Sequence, residues 1–106
     1  YVNTYFLKYD LLLSPTLAVP AFDIGDAPGM IGGKQVPHRL WGFTPFTYLF
    51  NLTGNPAASV PAGFSAEGLP IGLQIVGDMK DEANVLSASA AFEEARPWVG
   101  RRPPVS

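Results

Sequence analysis

The sequence predicts an α/β sandwich, a sheet with helices on both sides, of which this chain supplies only a portion. Three observations predict it. The runs Leu11-Leu12-Leu13 and Ile71–Val76 are continuously apolar, as strands covered on both faces are. Helical patterns with start and stop signals accompany them, over 44–54 and 81–95. About three strands and two or three helices can be placed, too few to cover both faces of such a sheet. Residues 1–106 are therefore expected to belong to one larger domain.

Taken in order, Val2, Tyr5, Phe6 and Tyr9 recur at helical spacing, which predicts the last turns of a helix. Asp10 then precedes the buried strand Leu11–Leu13, and Pro15 closes it. From about 20 to 42 no periodicity is visible, and Asp23, Gly25, Asp26, Pro28, Gly29, Gly32, Gly33 and Pro37 punctuate the stretch. A structureless connection of that length either lines a site or packs on other parts of a fold.

Thr44-Pro45 is a helix start, with the Thr44 hydroxyl as N-cap acceptor and Pro45 at the first helical position, where its missing N–H costs nothing. Phe46, Leu49, Phe50 and Leu52 supply the apolar face. Gly54 suits a left-handed C-terminal cap, and Pro56 prevents continuation. Ala57–Pro61 reads as a small-residue strand, Ser65–Gly68 as a turn and Ile71–Val76 as a second strand, paired antiparallel. Pro61 belongs near a strand end. Asp78 or Asp81 caps a final helix whose inward face is Val85, Ala88, Phe92 and Ala95, ended by Pro97.

Composition narrows the function classes. The net charge is −2 and Arg101-Arg102 is the only basic pair, which argues against a nucleic-acid partner. No apolar run approaches the roughly 18 residues that span a bilayer, so no membrane partner is expected. The absence of Cys excludes disulfides and thiolate metal sites and fits a reducing, cytoplasmic setting. The chain starts at Tyr1 in mid-pattern, so the natural N-terminus is expected upstream.

No catalytic constellation stands in the sequence. Gly29–Lys34 fails as a phosphate loop: Pro28 stands where its first Gly should be and Gln35 where a Ser or Thr should follow. It reads instead as a plain loop. His38 is the only His and has no partners at triad or metal spacing. Asp23 and Asp26 read as turn formers rather than paired carboxylates. Ser14, Ser59 and Ser65 have no base beside them in sequence, and Ser59 in its small-residue strand reads as packing. The sequon at Asn51 falls on a helix end, where glycosylation is not expected.

The ordered set Asp10-Leu11-Leu12-Leu13-Ser14-Pro15-Thr16, Asn51–Ala57, Ser59–Gly63 and Gly68–Gly77, with Leu86, Ala90 and Glu93 on the helix and Trp98 beyond, resembles the C-terminal part of the amidase-signature hydrolases. The resemblance implies one large α/β domain around a mixed sheet and hydrolysis of a carboxamide. It implies a Ser nucleophile, with a second Ser on a cis peptide relaying protons to a Lys. All three belong to an N-terminal portion that this sequence lacks. Lys8, Lys34 and Lys80 match none of these positions, so the resemblance assigns no catalytic residue, no cofactor and no metal here.

One substrate-binding position carries over. In tRNA amidotransferase relatives of the family an Asp before the Asn-Leu helix holds the substrate's amino group, and alignment on Asn51-Leu52 places Thr44 there. A hydroxyl cannot form the same charge pair, which implies a general amidase with a less polar substrate. Trp41 and Phe43, beside it, are candidates for an aryl or alkyl pocket wall, against simple packing of the helix entry. The expected partners are a small-molecule amide and the missing N-terminal portion of the same domain, with a homo-oligomer left open. Two alternatives stand beside the amidase reading: a non-catalytic binding or assembly module of the same fold, and the amidase-like subunit of a glutamine-using tRNA amidotransferase.

Overall fold

The computed structural model describes residues 1–38 and 41–105. Its elements follow the chain as α1 (Val2–Phe6), β1 (Leu11–Pro15), β2 (Met30–Ile31), β3 (Lys34–Gln35), α2 (Tyr48–Thr53), β4 (Ala57–Phe64), β5 (Pro70–Gly77) and α3 (Glu82–Ala95).

The most continuously apolar run takes the centre of the sheet. β5 lies between β1 and β4, with antiparallel pairing on both sides. Residues 74–77 are buried, and Val76 is fully so. β4 runs on past Pro61 to Phe64 through a shift in register between Pro61 and Gly63. Pro61 is tolerated because it sits at this irregularity on an outer strand of the three, where a missing N–H breaks no regular ladder. The turn between β4 and β5 is closed by Ser65, which bonds Leu69 and Gly68 through its backbone and receives the Leu69 N–H on its hydroxyl.

α3 begins at the second of the two caps that the sequence offers. Asp81 is its N-cap, and a carboxylate oxygen accepts the Asn84 N–H at 3.4 Å. Val85, Ala88 and Phe92 face Val60, Ile75 and Leu73, forming the core on this side. Ala95, expected on the same face, is exposed, because the helix ends there at Arg96.

Three further expectations are corrected. Leu11–Leu13 is not buried on both faces: Leu13, opposite Ile75 on the α3 side, is 60% exposed. α3 crosses β4 and β5 and leaves this part of β1 bare. The stretch 20–42 is not structureless. Met30-Ile31 and Lys34-Gln35 pair as a tight hairpin, and Val36 N–H closes it onto the Gly29 carbonyl at 2.9 Å. Its two-residue turn needs positive φ twice, which Gly32 (56°) and Gly33 (76°) supply. Finally, α2 starts at Tyr48 with Thr47 as the residue before it, not at Thr44-Pro45. The Thr44 hydroxyl turns back onto the Trp41 carbonyl at 2.9 Å and closes a separate turn. Such local bonding competes with helix initiation. Gly54, left-handed at φ 77°, caps the far end as expected.

Candidate functional site

The face of the sheet turned away from α3 carries a polar row. Ser14 on β1 and Ser59 on β4 both stand opposite Gln74 on β5, so all three side chains share that face. Thr16 extends the row beyond β1, its N–H bonded to the Gly72 carbonyl at 3.0 Å. The Thr16 and Ser59 hydroxyls lie 2.7 Å apart. Gly72 lies beneath them, and a Cβ added there would stand 2.7 Å from each oxygen. Position 72 is thus held to Gly by space, not by backbone conformation. A groove of about 410 Å³ opens here, lined by residues 16–21 on one side and by Ser59 with residues 70–72 on the other.

Gln74 is 4% exposed. Its Nε2 donates to Ser14 Oγ at 3.0 Å and to the Phe46 carbonyl at 2.7 Å. Ser14 gives its own proton to the Pro15 carbonyl at 3.1 Å, which leaves its lone pairs to accept. The amide therefore joins the central strand, an outer strand and the loop leading into α2.

That loop carries Trp41, Phe43 and Thr44. Trp41 is 63% exposed, and its carbonyl accepts the Thr44 N–H at 3.1 Å as well as the Thr44 hydroxyl. The Phe43 carbonyl accepts the Ala18 N–H at 3.1 Å. Its ring meets Phe22 edge to face, centroids 5.0 Å apart at 81°. The loop is thus stitched to the segment that walls the groove. The structure places Phe43 against that segment, leaves the Trp41 side chain open to solvent, and leaves the Thr44 oxygen only its lone pairs for a ligand.

The other polar residues make local contacts. Ser14 and Ser59 bond other neutral groups, neither of them a base. The Ser65 hydroxyl and then the backbone hold the exposed Glu67 carboxyl below its ordinary pKa, which weakens it as a base. Asp23 forms a turn by accepting the Asp26 N–H at 3.0 Å. The His38 carbonyl receives the N–H groups of Trp41 and Gly42. Lys34 lies on the β2–β3 hairpin, which replaces the plain loop expected there. Among the described residues, no group of His, Cys, Asp and Glu could hold a metal ion, and no helix is long and apolar enough to cross a membrane.

Sequence reasoning passed over Thr16, Gly72 and Gln74. For Gln74 a signal existed: a long amide inside a buried strand must find buried partners. For Thr16 and Gly72 none did, since their meeting with Ser59 depends on register across three strands.

Known proteins resemble this chain in sequence and in fold. The family model described as Amidase matches residues 1–86. An acylamidase of Rhodococcus erythropolis is 43% identical over 95% of this chain, which covers 21% of that protein. A glutamyl-tRNA(Gln) amidotransferase subunit from Thermodesulfovibrio yellowstonii is 41% identical over 92% of the chain, 19% of its own length. The crystal structure of a bacterial aryl acylamidase of the amidase-signature family superposes with a TM-score of 0.81 at 41% identity, over 96% of this chain and 23% of that one. The chain thus spans about a fifth of the length of these relatives.

Proposed function

Because the chain belongs to the amidase family, we propose that it is the sheet-and-wall portion of an amidase that hydrolyses the C–N bond of small carboxamides. In this reading residues 1–106 form the C-terminal portion of one larger domain. The Ser, cis-Ser and Lys that the resemblance implies lie in the remainder of the polypeptide. The chain contributes the three-stranded sheet, α3 and a substrate-facing wall made by Trp41, Phe43 and Thr44. The observation that carries the reading is the 43% identity to an acylamidase over nearly the whole chain, supported by an aryl acylamidase as structural neighbour. The exposed aromatic Trp41 and the uncharged Thr44 favour an aryl or alkyl amide over one bearing an amino group. The Cys-free sequence agrees with a cytoplasmic enzyme.

The competing reading is a tRNA amidotransferase subunit, favoured by the 41% identity to one. Thr44 weighs against it, since the carboxylate that the resemblance assigns to that position is missing. The test is hydrolysis by the intact polypeptide, comparing an aryl acylamide with glutamine. The amidase reading expects turnover of the aryl amide and little of glutamine. The reverse preference overturns it.

A further inference from the structure

The buried amide of Gln74 does more than fill the sheet. It is 4% exposed, and both donated hydrogen bonds leave the strand, one to Ser14 Oγ at 3.0 Å and one to the Phe46 carbonyl at 2.7 Å. The Ser14 contact stays within the sheet. The Phe46 contact does not, because Phe46 sits in the loop between the Trp41–Thr44 turn and α2. A carbonyl can only accept, so the orientation of the Gln74 amide is set by chemistry. Among the described residues the loop is tied down by Gln74 on Phe46, by the Ala18 N–H on the Phe43 carbonyl and by the Phe22–Phe43 ring contact, and of these only Gln74 belongs to the sheet. The bonds at the Trp41 and Thr44 carbonyls instead close the turn on itself.

We propose that Gln74 is a positioning residue for substrate binding: its amide fixes the Trp41–Thr44 wall on the sheet by donating to the Phe46 carbonyl. This rests on the reading of that wall as substrate-facing. The physical argument is pre-organisation. A wall already held in its bound geometry binds without ordering itself first, and a wall on a loop needs a rigid support. Gln74 supplies that support from the most buried strand of the sheet. Removing its donors leaves the Phe46 carbonyl without its partner and lets the loop shift. The wall touches the non-reacting part of the amide, so its loss weakens ground-state and transition-state binding alike.

The test uses the intact polypeptide and an aryl acylamide. Gln74→Met keeps the side-chain length and packing and removes both donated bonds. The expected result is a KM raised about tenfold with kcat changed less than about twofold, the pattern of lost uniform binding. Ser14→Ala removes only the contact within the sheet and is expected to leave KM within about twofold. Should Gln74→Met fail to fold, Gln74→Asn, too short to reach both partners, carries the same expectation. A double-mutant cycle supplies the readout that a merely structural role would not move. In a Trp41→Ala background, Gln74→Met should add a smaller rise in KM, because the largest side chain of the wall it positions is already gone. Undiminished effects in that background, a fall in kcat at unchanged KM, or an equal effect of Ser14→Ala each overturn the proposal. If the wild-type polypeptide hydrolyses no carboxamide, it is the underlying function that has failed.

Discussion

At the scale of single residues, Thr44 and Glu67 each carry an expectation that a substitution can test. Thr44 presents a neutral oxygen whose proton is held by the Trp41 carbonyl. Thr44→Asp in the intact polypeptide should therefore raise kcat/KM for an amide carrying an amino group relative to an aryl amide, since a carboxylate gains a charge-assisted bond. A ratio that stays constant in a competition assay would remove Thr44 from the site. Glu67 gives a pH dependence. Its carboxyl is held below its ordinary value by the Ser65 hydroxyl and then the backbone, so its contribution to stability is present above that value and lost as pH falls through the lowered one. Thermal melts of Glu67→Gln and the wild type should differ slightly near neutrality and converge in acid. A difference that grows in acid would contradict the assignment.

At the scale of elements, the signals that were legible are local ones. Gly54 after one apolar run, and Asp81 before and Pro97 beyond the other, mark helix ends within the choices that the sequence offers. Asp81→Ala should cost about 1 kcal/mol in chemical denaturation, the usual worth of an N-cap. The β4–β5 pairing was legible because a short Gly-containing turn joins two apolar runs. What was not legible depends on competition or on distance. The Thr44 hydroxyl had two available acts, capping a helix or closing a turn, and sequence alone does not rank them. The hairpin at 30–35 has strands of two residues each, too short to show an alternating pattern. Its Gly-Gly turn was the visible sign. Gly33→Val should destabilise that hairpin by roughly 1–2 kcal/mol, the cost of a left-handed conformation for a branched side chain. Faster hydrogen exchange at the Val36 amide, which closes the hairpin, is the measurement. In the polar row Ser14–Gln74–Ser59, the bonded Ser14 and Gln74 are 60 residues apart in the chain, so only strand register reveals it.

At the scale of the whole molecule, the chain is shaped like a slab. Its extents are 39 × 38 × 21 Å and its radius of gyration is 15.5 Å. A self-contained domain of this length has a radius near about 13 Å. It exposes 7988 Å², where a globular protein of this size exposes about 5,800 Å². The excess, about 2,200 Å², is of the order of a permanent interface. Leu13, Ile71 and Phe64 are among the apolar side chains left bare on and beside the sheet. These dimensions agree with a chain that spans about a fifth of its relatives' length; in the proposed reading the remainder of the same domain covers these faces. The decisive measurement is hydrolysis of an aryl acylamide by the intact polypeptide and, separately, by rigorously purified residues 1–106. Turnover by the first and none by the second is the expected result, because the hydroxyls of Ser14 and Ser59 bond only neutral groups and no nucleophile beside a base is found among the described residues. Amide turnover by residues 1–106 alone would contradict it.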